Sequence, residues 1–284
     1  TGEEIGVIYH DMREPYRSIF TNIIDGIRDT AGNDVKLLAV TRDDEVETVR
    51  NWIEENNIDT LIALGSRSQK LAAKADVDNK VVGAIIKPPE ENGFQAGVLL
   101  TPDPNILFKN LKMLAPDITK IHTVYSQQYS GWYIDIAKTA ADNNGIELEA
   151  VESRSKRDSI NNYKNILESK VDKNSAIWLL QDPLSSDSRL ILPLVLGLAW
   201  EKRIPVVSNK AGHVERGALL ALYPDHFELG ISLAQMSINN KLQEQKYRPF
   251  TQALNAANTR TADHLDLNWS RKTKRSINLI FPRR

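Results

Sequence analysis

The sequence predicts an α/β protein of two Rossmann-like lobes, each a parallel sheet flanked by helices. Three observations carry that expectation. Short apolar runs alternate with helix-periodic segments almost from end to end, the rhythm restarts near residue 100, and 284 residues is about twice a usual domain.

In the first series, residues 5–9 (IGVIY) form an apolar run closed by the turn-prone His10-Asp11. Pro15 stands near the first turn of a helix that carries Tyr16, Ile19, Phe20, Ile23, Ile24 and Ile27 at three- and four-residue spacing. Residues 35–40 make the second strand, Val46, Val49 and Ile53 mark the second helix, and residues 60–64 are the third strand. Gly65-Ser66 turns into a helix with Leu71, Ala72 and Ala75, and residues 81–86 are the fourth strand.

Thr101-Pro102-Asp103-Pro104 reads as a turn-rich junction before a helix with Ile106, Leu107, Leu111 and Leu114. The second series then runs through a strand at 121–125 and a helix with Ile136, Ala137, Ala140 and Ala141. Gly145 caps that helix before a strand at 148–151. A helix of Ile160, Tyr163, Ile166 and Leu167 leads to the strand at 177–180. Another, with Leu190, Ile191, Leu194, Val195 and Leu198, leads to residues 204–207, and 217–222 is the last strong strand. Leu229, Ile231, Leu233, Ala234 and Ile238 predict one more helix, to about Leu242. A polar stretch from Gln243 to Ala262 precedes the apolar pieces 265–268 and 277–281. If that helix returns to the first lobe, residues 1–100 plus about 224–255 form one lobe. Residues 101–223 plus about 256–284 then form the other and the hinge crossings, an arrangement that permits closure around a ligand.

The stretch IWLLQDP, residues 177–183, is the most informative. Four bulky apolar residues suit a strand covered on both faces, and Asp182-Pro183 ends it because proline lacks the ladder donor. A carboxylate is thereby set at the carboxyl end of a buried strand, where open α/β sheets hold ligands. The competing reading is a turn residue that caps the next helix.

Composition narrows the function. Hydrophobic residues at 41% and charged residues at 26% describe a globular chain with material for two cores, and a net charge of −1 gives no general attraction to nucleic acid or anionic membrane. Zero cysteine excludes disulfides, thiolate metal sites and a cysteine nucleophile. The sequence starts at Thr1 rather than Met, so we expect that an upstream segment has been removed. None of His10, His122, His213, His226 and His264 falls in a catalytic motif, and no nucleophile elbow, Walker loop, His-Glu-x-x-His or Gly-x-Gly-x-x-Gly occurs. The reading is a binding protein rather than an enzyme, without catalytic residues, metal or cofactor.

Five segments follow one another over residues 95–284: PDPNILFKNLKMLAPDITKIHTVYS, GIELEAVESRSKRD, SAIWLLQDPLSSDSR, RIPVVSNKAGHVERGALLALYPDHFELGISLAQ and HLDLNWSRKTKRSINLIFP. In that order they resemble the periplasmic substrate-binding proteins of ABC transporters, in the branch that includes tryptophan- and tyrosine-binding members. The resemblance implies a type I periplasmic binding fold with a multi-crossing hinge and a small-molecule ligand. It also implies a membrane permease or sensor as partner, no nucleic acid, a monomer, and a periplasmic location reached through a signal peptide. The tail should then be an apolar strand ending in Asn, a short helix and an Ile-Pro-like end. The sequence departs from the family on two loops. Residues 125–132 read YSQQYSGW where an Asn-Pro-Ser-Glu-like turn is usual, and 65–69 read GSRSQ where Thr or Ser precedes an Ala-rich helix. An effector domain of a transcription regulator shares the architecture and is the rival reading.

Strand-end loops supply the candidate ligand residues. In the first lobe these are Tyr9, His10, Asp11 and Tyr16, then Ser66, Arg67 and Ser68, then Lys87; in the second, Tyr125, Ser126, Tyr129 and Trp132, then Gln181 and Asp182, then Ser208, Asn209 and Lys210. Helix-opening N–H groups with Ser66, Ser68 and Arg67 suit a carboxylate, and the aromatics of 125–132 suit an apolar ligand body. By resemblance, Asp182 matches the acid that reads a ligand amine. Each has a plainer role open to it: Asp11 and Ser66 as helix caps, Arg67 and Lys87 as solvated charges, Trp132 as core. Trp178 and Trp200 are expected in the core and Trp52 partly exposed. The expected ligand is an amino acid or a related carboxylate and amine compound.

Overall fold

A computed structural model describes residues 3–239 and 246–283. Its first eight elements are β1 (Ile5–His10), α1 (Tyr16–Ala31), β2 (Lys36–Val40), α2 (Val46–Asn56), β3 (Thr60–Leu64), α3 (Ser66–Ala73), β4 (Asn79–Ile85) and β5 (Ala96–Pro102). Then come α4 (Pro104–Leu114), β6 (Lys120–Tyr125), α5 (Gln127–Asn143), β7 (Glu147–Glu152), α6 (Lys156–Asn165) with a π-helical turn at Ile166–Lys170, β8 (Ser175–Leu179) and α7 (Ile191–Lys202). The rest are β9 (Val206–Ser208), α8 (Ala211–Glu215), β10 (Leu220–Pro224), α9 (His226–Asn239), β11 (Tyr247–Phe250), β12 (Ala253–Asn258), α10 (Thr259–His264), α11 (Arg271–Arg275) and β13 (Leu279–Phe281).

Two compact units result, Thr1–Thr101 with Pro224–Gln252 and Pro102–Tyr223 with Ala253–Arg284, so the chain passes between them three times. The first holds a six-stranded sheet in the order β11-β5-β4-β3-β1-β2, with the four pairs from β5 to β2 parallel. All five residues of β3 are buried, as a strand covered on both faces requires. Lys80 closes α3: its buried amino group donates to the carbonyls of Ala72, Ala73 and Ala75, and burial lowers its pKa. Helices α1 and α9 meet at two glycines. A Cβ on Gly26 would lie 1.9 Å from the Phe227 carbonyl oxygen, and one on Gly230 would lie 2.0 Å from that of Ile23.

The second unit holds a seven-stranded sheet in the order β13-β12-β10-β9-β8-β6-β7. Its largest core side chain is Trp178, which meets Phe108 and Tyr133 edge-on at ring separations of 5.3 and 5.5 Å. Gly145, at φ +62°, follows α5 as the left-handed residue expected of a helix end. Each sheet has one switch point: β1 lies between β2 and β3, and β6 between β7 and β8. The loops that leave those strands therefore diverge and open a crevice at the carboxyl edge.

Several elements differ from the sequence reading. Residues 101 and 102 end β5, and the boundary between the two units falls between them, at the junction the sequence marks. The polar stretch from Gln243 contains β11, β12 and α10. Strand β11 tolerates Pro249 because it lies at the sheet edge, and β12 is made of small residues. The strand ending in Asn is thus β12, whereas residues 265–268 form none. Helix α8 is additional. The expected helix end at Leu242, like Gln243, lies outside the described residues. Trp178 is buried and Trp52 half-buried, but Trp200 is 40% exposed. It falls off the buried side of α7, formed by Ile191, Leu192, Val195 and Ala199, and stacks on the His264 ring at 3.6 Å.

The glycine contacts predict opposite effects of one methyl group. Gly26→Ala or Gly230→Ala should cost about 2 kcal/mol or more of unfolding free energy, because backbone atoms fill the Cβ position. Gly197→Ala in α7, where no atom lies within 4 Å, should gain up to about 1 kcal/mol. Urea titrations of the three variants check the contrast.

Candidate functional site

In the first unit, register sets Tyr9 of β1 beside Leu64 of β3, so Tyr9-His10-Asp11 and Gly65-Ser66 leave the sheet side by side. Tyr9 and His10 are half-buried, Asp11 is exposed and 3.8 Å from Arg17, and Tyr16 at the start of α1 is 53% exposed. Gly65, at φ +88°, makes the turn into α3 against the ring of Phe20. Ser66 is exposed at the helix start. Ser68 is fully buried, and its hydroxyl has no hydrogen-bond partner.

Arg67 and Lys87 are engaged elsewhere. The Arg67 guanidinium donates to the carbonyls of Thr41 and Arg42, at 3.5 and 3.1 Å, and to that of Asp44. Through Nε and Nη2 it fastens the loop after β2. Lys87 lies beyond β4 and pairs with Glu90 at 3.0 Å.

The second unit repeats the arrangement around Asp182. Its carboxylate is 2% exposed and accepts five hydrogen bonds. Oδ2 takes the Ser126 N–H at 2.8 Å, the Ser126 hydroxyl at 2.8 Å and the Ser130 hydroxyl at 2.7 Å. Oδ1 takes the N–H groups of Leu184 and Ser185 at 2.9 and 3.2 Å. Two oxygens offer about four lone-pair sites, so this acid is saturated within its own unit. That corrects the assignment of Asp182 to a ligand amine. It joins the end of β6, the first turn of α5 and the loop after β8.

Around that hub stand residues with free polar atoms. Gln181 follows β8, and its Oε1 is buried without a partner. Asn209 follows β9 beside it, its N–H donating to the Leu179 carbonyl at 3.1 Å. An indole N–H only donates, so the 3.0 Å bond from Trp178 Nε1 fixes Asn209 Oδ1 as the acceptor. Asn209 Nδ2 is left buried and unpartnered. That amide lies near the Tyr133 phenol, whose pKa burial raises well above the usual tyrosine range. Tyr125 ends β6 half-buried, its pKa raised by burial and then by Glu152 and Asp135. On α5, Trp132 is half-buried, and its indole donates to the Tyr129 carbonyl at 3.1 Å.

Ser208 and Lys210 have other roles. The buried Ser208 hydroxyl lies 2.7 Å from His213 Nδ1 and accepts the Lys210 N–H at 3.1 Å, while the Lys210 side chain is exposed. Among the described residues no carboxylate meets the other ring nitrogen of His213, and Ser208 has no exposed surface, so the pair fastens the turn into α8. Sequence reasoning missed His213, which lies in no motif. It also missed Ser130, although Ser130 stands four residues after Ser126, the N-cap of α5, and so lies on the same side of that helix start. Among the described residues no three His, Cys, Asp or Glu side chains gather as a metal site.

Residues 103–246 match the family model for ABC transporter substrate binding proteins. The chain belongs to this family. No curated protein sequence matches it significantly. Among solved structures it is similar to the ligand-free, open form of a substrate-binding protein with adhesive properties from Clostridium difficile. That likeness has 17% identity and a TM-score of 0.68, covering 100% of both chains. It is also similar to an ABC domain from Streptococcus pneumoniae in complex with L-Trp, at 19% identity and TM-score 0.60, covering 99% of this chain and 100% of that one. A conserved domain protein from Vibrio cholerae gives 17% identity and 0.59, covering 98% and 99%. The family and these likenesses establish a type I periplasmic binding fold with two parallel-sheet lobes.

Two predictions follow from the buried polar groups. Asp182→Ala should destabilise the protein by about 3 kcal/mol or more, because it strands the donors of Ser126, Ser130, Leu184 and Ser185; chemical denaturation measures this. The second concerns pH. Burial, then Lys210 and Arg216, lower the pKa of His213 from 6.5 to about 4. The unfolded chain then binds the proton first, so stability falls as pH drops from 6.5 through 4, by about 3 kcal/mol from this group. The stability difference between pH 7 and pH 4 should shrink by about that amount in His213→Gln.

Proposed function

We propose that the chain is the binding component of an ABC-type uptake system. It works in the periplasm beside a membrane permease and takes an amino acid or a related small compound bearing a carboxylate and an amine. The observation that carries this is the pair of buried, unpartnered atoms on adjacent strand ends, Gln181 Oε1 and Asn209 Nδ2. One is an acceptor and the other a donor, so together they read a ligand that offers both. An unmet buried polar group costs about 1–3 kcal/mol, which a matching ligand recovers.

In this reading the Gln181 carbonyl takes the ligand amine and Asn209 Nδ2 donates to a ligand oxygen. In the first unit, taken by itself, the Ser68 hydroxyl and the first N–H groups of α3 can receive a carboxylate, because the opening turn of a helix has no internal partners for its donors. Tyr125, Tyr129 and Trp132 supply apolar walls in the second unit. Neutral dipoles replace the Arg67 and Asp182 charges in the scheme. The family match is to transport proteins, so a regulator's effector domain is not favoured.

A thermal-shift screen over amino acids, small carboxylates, sugars and nucleosides tests the class. A binder at 100 times its Kd should add about 2.7 kcal/mol. A response to sugars alone would show that the polar ends have been assigned to the wrong chemistry. For the ligand found, Asn209→Asp keeps the acceptor for Trp178 and removes the free donor, and Gln181→Ala removes the acceptor. Each should weaken binding by about tenfold to a hundredfold in titration calorimetry.

A further inference from the structure

A second feature lies at the opposite edge of the second sheet. Helix α11 has the sequence RKTKR and precedes β13, and α4 precedes β6, so both stand near the amino ends of their strands. At 100° per residue, Arg271, Lys272, Lys274 and Arg275 spread over about 160° of the helix surface, with Thr273 on the remaining side. That matches the structure, in which Thr273 is half-buried and the four cations are exposed. Among the described residues none of the four enters an ion pair. Trp269 pins the helix in place, its indole donating to the Leu114 carbonyl at the end of α4 at 2.8 Å. Lys109, Lys112 and Met113, three and four apart, share one side of α4 there, and Met113 is 46% exposed.

The charge is lopsided. Residues 269–283 contain no acid, and residues 104–120 contain only Asp117, in a chain whose net charge is −1. The four cations of α11 are exposed and spread over the helix surface, so they do not converge on one small anion. A flat anionic layer meets such a surface best, with Met113 and the edge of Trp269 as interfacial apolar groups.

We propose that the face formed by α11 and the end of α4 docks on an anionic phospholipid bilayer. Docking there leaves the carboxyl-edge site of the same unit turned away from the lipid.

Co-sedimentation of the full chain with vesicles tests this. It should bind vesicles of phosphatidylcholine with about 30% phosphatidylglycerol at low salt, weaken several-fold at about 0.15 M salt, and ignore pure phosphatidylcholine. The variant Arg271→Glu, Lys272→Glu, Lys274→Glu, Arg275→Glu should lose binding roughly a hundredfold with an unchanged thermal midpoint. If that variant unfolds, the milder Lys272→Gln, Lys274→Gln serves, with an expected loss of about tenfold. Equal binding to both vesicle types, binding to neither, or a variant that binds like the parent overturns the proposal. So does retention on polyaspartate without vesicle binding, which would assign the face to an acidic polypeptide.

Discussion

The second unit is organised by one saturated carboxylate. A charge out of water must be met by hydrogen bonds on all sides, and Asp182 is met by five. Its partners come from three places, the end of β6, the first turn of α5 and the loop after β8. None of the three can shift without stranding a donor. Tyr125 at the end of β6, Tyr129 and Trp132 on α5 and Gln181 in the loop after β8 lie on the elements so joined.

Arg67 plays the matching part in the first unit, tying the start of α3 to the loop after β2. In each unit a full charge near the carboxyl edge, Arg67 or Asp182, holds loops together, and the buried polar groups without partners there are neutral: the hydroxyls of Ser68 and Ser185 and the amides of Gln181 and Asn209. Neutral dipoles select by direction and geometry. They can orient a zwitterion without leaving a net buried charge when the site is vacant.

Much of the fold is legible as pattern. The apolar run Leu61–Leu64 of β3, too short for a helix, and the i, i+3, i+4 spacing of α1 carry their conformations in the pattern. Strands β11 and β12 escape because YRPF carries a proline and ALNAAN is built of small residues; only their place in a sheet makes them strands. The site shows a similar divide. Its loops are legible, since strand ends follow from strands. The choice of atoms is not, because an aspartate beside a strand end reads alike whether it faces a ligand or two serines four residues apart.

What the sequence alone determines is therefore the alternation, the repeat of that alternation and the loops where side chains gather, all of which depend on near neighbours in the chain. Tertiary structure alone decides which of those side chains are already partnered. Ser126 and Asp182 are 56 residues apart, and Trp178 and Asn209 are 31 apart, so only the packed sheet brings the pairs to hydrogen-bonding distance.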